Sequence, residues 1–189
     1  VAHEIEVKIE VDDAEATARR LEAMGAELRS PRRFEDNRLF DLADGALERS
    51  GGLLRLRLCD GRAVLTGKGP APPAALRAGY KVRTEEETEV ADPDALVRAL
   101  AAAGLAARWR YQKYRREYRF RGATVVLDEI PHGVFVEIEG EPTAIDDVAA
   151  QLGFDRSAYL TATYRDIHAQ RAGSAAGDMV FARVPGDAA

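Results

Sequence analysis

The chain has 189 residues, 46% of them hydrophobic and 31% charged, with a net charge of −5 and one cysteine, Cys59. This length suits one domain with a proper core, and the charge provides no global basic field for nucleic acid. A lone cysteine excludes an intramolecular disulfide framework and a cysteine zinc cluster, and no apolar run approaches the ~18 residues that cross a membrane.

The first stretch, Glu4 to Val11, alternates without a break. Ile5, Val7, Ile9 and Val11 share one face; Glu4, Glu6, Lys8 and Glu10 share the other, which predicts a β-strand. A helix follows, capped by Asp12 or Asp13, with Asp12 and Glu15 spaced as a capping box. Ala14, Ala18, Leu21 and Met24 carry its apolar face, and Gly25 is placed to close it. The Arg29–Arg33 region, with Pro31, reads as a loop, and Leu39-Phe40-Asp41 as a short extended piece. Leu53 to Cys59 alternates again, with Arg55 and Arg57 opposite Leu54, Leu56 and Leu58. Asp60-Gly61 then turns the chain into a second hairpin strand that ends at Lys68. Gly69-Pro70-Ala71-Pro72-Pro73 reads as a mobile loop outside any central strand.

From Gly79 to Val90 a strand carries Lys81, Arg83, Glu85, Glu87 and Glu89 on one face. A helix starts at Asp92-Pro93 and closes at Gly104. Tyr111 to Phe120 is extended, with Lys113, Arg115, Glu117 and Arg119 on one side. Ala123 to Leu127 is apolar and leads to Asp128. Beyond the Pro131-His132-Gly133 turn, Val134, Val136 and Ile138 alternate with Phe135, Glu137 and Glu139. A third helix spans Thr143 to Leu152 and ends at Gly153. Three acidic strands thus lead into helices closed by glycine at 25, 104 and 153. This fits three similar excursions from one sheet as well as ordinary strand–helix syntax. After Tyr164 the pattern fades. Residues 171–189 are expected to be a flexible tail behind a domain of residues 1–170, and disorder is expected for Met179-Val180-Phe181.

The charged strand faces sort by sign. Lys8, Arg55, Arg57, Lys68, Lys81, Arg83, Lys113 and Arg115 are bases. Glu4, Glu6, Glu85, Glu87, Asp128, Glu137 and Glu139 are acids. Strand charge is ordinarily a solvated face and worth little. Converging in a closed sheet, these bases suit a polyanion, because Arg binds phosphate oxygens in pairs and Lys adds point charge. Carboxylates beside phosphate imply a bridging divalent ion, and hard oxygen ligands favour Mg²⁺ or Mn²⁺. Other chemistries fail. A P-loop reading of Gly67-Lys68 lacks glycine at position 62 and a hydroxyl at 69. His3, His132 and His168 show no metal-ligand spacing, and nothing supports a Ser-His-Asp triad.

Glu4-x-Glu6-x-Lys8 resembles the ExExK signature of the CYTH superfamily, the triphosphate tunnel metalloenzymes. Further matches follow in family order: Leu54-Arg55-Leu56-Arg57, Leu65 to Pro70, Lys81 to Glu85, Lys113-x-Arg115, Asp128 and Gly133 to Glu139. The segment Asn37 to Asp41 is also similar, although Leu39 stands where many relatives have tyrosine. The resemblance spans about Glu4 to Ile167 and is nearest the class IV adenylyl cyclase-like branch.

It implies an α+β fold: a closed antiparallel eight-stranded β-barrel with helices outside and a charged tunnel inside. It implies that Glu4, Glu6, Glu137 and Glu139 hold metal, Mg²⁺ or Mn²⁺. Lys8, Arg55, Arg57, Lys68, Lys81, Arg83, Lys113 and Arg115 would bind the triphosphate. Glu4, Glu6, Lys8, Glu85 and Asp128 would form the catalytic group, Asp128 as a ligand or an orienting residue. Expected substrates are tripolyphosphate, ATP or thiamine triphosphate. The leading activity is triphosphate hydrolysis, followed by adenylyl cyclisation to cyclic AMP and pyrophosphate, then non-catalytic binding. A cytoplasmic location is expected, with no nucleic-acid or membrane partner; a homodimer is left open.

Overall fold

The structure is a computed structural model that describes residues 2–173 and 177–182. Eight strands form a closed barrel: β1 (Ala2–Val11), β2 (Glu27–Asp41), β3 (Leu53–Cys59), β4 (Arg62–Pro70), β5 (Lys81–Glu89), β6 (Ala106–Phe120), β7 (Ala123–Ile130) and β8 (Gly133–Glu139). Their order around the barrel is β1-β5-β4-β3-β2-β6-β7-β8, and each pairing is antiparallel.

The apolar faces point outward. Val7 and Ile9 of β1, Val125 and Leu127 of β7, and Val136 and Ile138 of β8 pack beneath α1 (Ala14–Ala23) and α4 (Pro142–Gln151). Ala18 and Leu21 from α1, and Ile145 and Val148 from α4, complete that core. On the opposite side Phe40, Leu56 and Ala63 lie beneath Leu96, Val97 and Leu100 of α3 (Pro93–Ala102). Burial thus holds the barrel from outside, which leaves the inward positions for polar chemistry. Gly25, Gly104 and Gly153 close α1, α3 and α4 with φ of 85°, 84° and 79°, the left-handed region that a side chain resists.

Several local expectations are corrected. The cap of α1 is Asp13, whose carboxylate accepts from Ala16 N at 2.6 Å, while Glu15 pairs with Arg116 instead of closing a box. The Arg29–Arg33 loop is part of the 15-residue β2. Pro31 falls in a register shift between Ser30 and Arg33, where its missing N–H leaves no gap in the ladder. Strand β4 runs on to Pro70, with Gly69 opposite Thr84 and Pro70 opposite Arg83. A Cβ at Gly69 would sit 2.9 Å from the Thr84 hydroxyl, so glycine lets the strands stay paired there.

Past Tyr164 the chain forms α5 (Tyr164–Ala172), opened by a capping box between Thr163 and Asp166. The Met179 patch is docked. Met179 N donates to Arg110 O, and Gln112 N donates to Met179 O. The reason is geometric: β7 pairs with β6 only from Tyr114 onward, so the first half of β6 has an edge to cover. The rest of the expected tail, residues 174–176 and 183–189, lies outside the described residues.

Candidate active site

Period-two alternation turns Glu4, Glu6 and Lys8 of β1 into the barrel, and the register sets their neighbours. Glu6 lies opposite Glu139 and Lys8 opposite Glu137 on one side, while Glu4 lies opposite Arg83 and Glu6 opposite Lys81 on the other. Arg55 of β3 faces Thr66 of β4, which faces Glu87 of β5. Every residue expected in the site, Asp128 excepted, lines one cavity of about 460 Å³.

Asp128 stands behind the wall, fully buried. It accepts from Lys113 Nζ at 3.0 Å, from Arg115 Nε at 2.7 Å and Nη2 at 2.5 Å, and from the Tyr164 hydroxyl at 2.7 Å. One carboxylate thus pairs with two cations that line the cavity. Sequence reasoning missed two residues of this cluster, Glu35 beside Lys113 and Tyr164 on Asp128. Glu35 is 1% exposed, with Oε2 3.6 Å from Lys113 Nζ. Burial alone would raise its carboxyl, but Lys113, Arg115, Arg57 and Arg55 outweigh that and hold it at about 2. Tyr164 of α5 closes one end of the cavity, packed on Tyr111 and Phe135, with Lys8 Nζ 4.4 Å from its ring centroid.

The wall built by β1, β4 and β5 is organised differently. Lys68 Nζ lies 2.5 Å from Glu4 and 3.2 Å from Glu85, and Lys81 Nζ lies 2.5 Å from Glu6. Burial and the neighbouring Glu6 charge push Glu4 up to about 7, although Lys68 pulls the other way. Burial, Glu6 and Glu85 also raise Glu139. Glu137 bridges the two walls, 2.7 Å from Lys8 and 2.6 Å from Arg115.

Among the described residues no three Asp, Glu, His or Cys side chains form a ready metal-ligand group. Lysine ammonium groups contact Glu4, Glu6 and Glu137 instead. The donor chemistry nevertheless suits a hard divalent ion: Glu6 lies opposite Glu139 in the register, and burial with neighbouring carboxylates raises both Glu4 and Glu139 against the pull of Lys68.

An eight-stranded antiparallel barrel with apolar faces outward and both charge signs inward encloses a charged interior cavity. The CYTH domain model matches residues 2–160, and the chain belongs to the CYTH family. That family binds triphosphate substrates such as ATP and is metal-dependent in general. The fold is similar to that of a candidate adenylate cyclase from Vibrio parahaemolyticus (21% identity over 87% of this chain and 96% of that one, TM-score 0.73). The PH1012 protein from Pyrococcus horikoshii OT3 is similar too (26% identity, 85% and 96% covered, TM-score 0.70). So is a candidate adenylyl cyclase from Hippeastrum, described as having a dominant triphosphatase activity (22% identity, 90% and 96% covered, TM-score 0.61). No curated protein matches the chain. No helix among the described residues is long and apolar enough to cross a membrane.

Proposed function

We propose that the chain is a divalent-metal-dependent triphosphatase that takes an inorganic or organic triphosphate into the barrel. The observation that carries this reading is the division of one cavity into a wall of cations pinned by Asp128 and a wall where acids crowd one another closely enough to raise Glu4 and Glu139. Lys113 and Arg115, held by Asp128, offer fixed donors to phosphate oxygens, and Arg55 and Arg57 from β3 add cations to the same cavity. Donors fixed in advance need no reorganisation as charge builds on the transferred phosphoryl group. Glu4, Glu6, Glu137 and Glu139 are the residues to hold Mg²⁺ or Mn²⁺. Such an ion supplies neutralisation of phosphate charge and a more acidic bound water. Lys8, Lys68 and Lys81, now on carboxylates, become available to phosphate once those carboxylates have another cation. Asp128 keeps Arg115 and the Tyr164 hydroxyl in place throughout.

The same charges serve attack by a ribose 3′-hydroxyl, which would make the protein an adenylyl cyclase. A panel of tripolyphosphate, ATP and thiamine triphosphate, each with Mg²⁺ and Mn²⁺, separates the readings. Orthophosphate release is expected. Cyclic AMP with pyrophosphate would replace the hydrolase by the cyclase, and tight binding without turnover would reduce the protein to a binding module.

A further inference from the structure

A second cavity, of about 430 Å³, adjoins the tunnel and shares Arg57 with it. Its inner wall is Arg33, Glu35, Arg57 and Cys59; Asp60, Arg62 and Glu89 stand around them. Arg33 and Glu35 are consecutive inward positions of β2, and each leaves a buried polar atom without a hydrogen bond among the described residues: Arg33 Nε, a donor, and Glu35 Oε2, an acceptor that Lys113 Nζ approaches only to 3.6 Å. The Arg33 side chain makes no hydrogen bond or ion pair among the described residues. Among the described residues the Arg57 side chain is held by contacts of 3.4 Å to Glu87 alone. Buried polar groups are ordinarily hydrogen-bonded, so a donor and an acceptor without hydrogen bonds in the lining of one cavity call for an occupant with both functions.

We propose that this side cavity binds hydrogen phosphate. Its oxygens accept from Arg33 and Arg57, and its remaining O–H donates to Glu35, whose ionised state is secured by Lys113 and Arg115 behind it. Sulfate has the same shape but no proton to give, so its oxygens face the Glu35 carboxylate in repulsion. The rim acid Glu89 is exposed, so water screens its charge. Where the triphosphatase reading holds, on which this role rests, the cavity is a station for released orthophosphate, reached past Arg57.

Cys59 is the sole cysteine and lines the cavity, so its reaction with a disulfide reagent reports occupancy locally. The full-length, chelator-treated protein is labelled in orthophosphate, in sulfate and in chloride at equal ionic strength. Orthophosphate slows Cys59 labelling at least threefold; sulfate does not; in Arg33→Ala the orthophosphate effect is lost while the melting temperature holds. An orthophosphate-independent rate in the native protein, equal slowing by sulfate, or undiminished slowing in Arg33→Ala overturns the proposal. Turnover of tripolyphosphate is measured separately: protection of Cys59 without turnover keeps the site and discards the hydrolase, and turnover without protection does the reverse.

Discussion

Glu137 and Glu139 are two residues apart on β8 and face the same cavity, yet their carboxyls are driven in opposite directions. Burial pushes both up. At Glu137 the cations Lys8, Arg115 and Lys113 outweigh it and hold the group well below the usual carboxylate range. At Glu139 the nearest charges, Glu6 and Glu85, add to it and raise the group. Neighbours set by strand register, not residue type or depth, decide which acid is held ionised and which is pushed towards its protonated form. Around Asp128 the carboxylate is matched by Lys113 and Arg115. Around Glu4 and Glu139 burial and neighbouring acids outweigh the pull of Lys68.

The largest test breaks the wall around Asp128. Asp128→Ala leaves Lys113 and Arg115 without their shared carboxylate and should cost about 3–5 kcal/mol in urea unfolding. A loss under about 1 kcal/mol would show that Asp128 holds neither cation firmly.

The second test uses pH on metal-free protein. Glu4 is raised from 4.5 to about 7. Its contribution to stability is therefore full below the unfolded value of about 4.5 and is lost as pH rises towards 7, on the order of 3 kcal/mol. Glu35 is lowered from 4.5 to about 2, so its contribution is present above about 4.5 and is lost as pH falls towards 2. Melting temperature should thus fall on both sides. Glu4→Gln should flatten the neutral limb and leave the acid limb alone; an unchanged neutral limb would refute the assignment.

Smaller effects sharpen the contrast. Arg57→Ala should weaken tripolyphosphate binding by about 1.5–3 kcal/mol with the melting temperature kept, since its contacts to Glu87 are long. Calorimetry showing native affinity would remove Arg57 from the binding set. Glu139→Gln should leave metal-free stability unchanged or better by up to about 1 kcal/mol, while raising the Mg²⁺ concentration needed for half-maximal activity. Glu137→Gln, in contrast, should destabilise, because Lys8 and Arg115 lose a partner.

The charged interior was legible because β1, β3, β5 and β8 alternate cleanly, so sign and face could be sorted residue by residue. Strand β2 was not. Register shifts after Leu28, Ser30 and Leu39 interrupt its period, and Pro31 among arginines imitates a loop. Glu35, which completes the cation wall, went unseen with it. Helix α5 offered one signal, the Thr163 and Asp166 spacing of its capping box, but its sequence is too polar to show an apolar stripe. Tyr164 was therefore missed. Asp128 could be named as an acid, but only the fold shows that it lies behind the cations and outside the cavity.

The barrel wall is one residue thick, and alternate residues serve opposite sides of it. Val136 and Ile138 belong to the helix-covered core while Glu137, between them, belongs to the cavity. Substituting a cavity charge therefore leaves the core untouched, so interior electrostatics can drift while the scaffold stays constant. Inserting or deleting a single residue within β8 does the reverse. It turns Glu137 and Glu139 onto α4 and drops valine and isoleucine among the arginines, exchanging the two compartments at once. Such a chain tolerates point mutation far better than a one-codon frame of its strands, and length variation should be confined to the turns and the segment between Pro70 and Lys81.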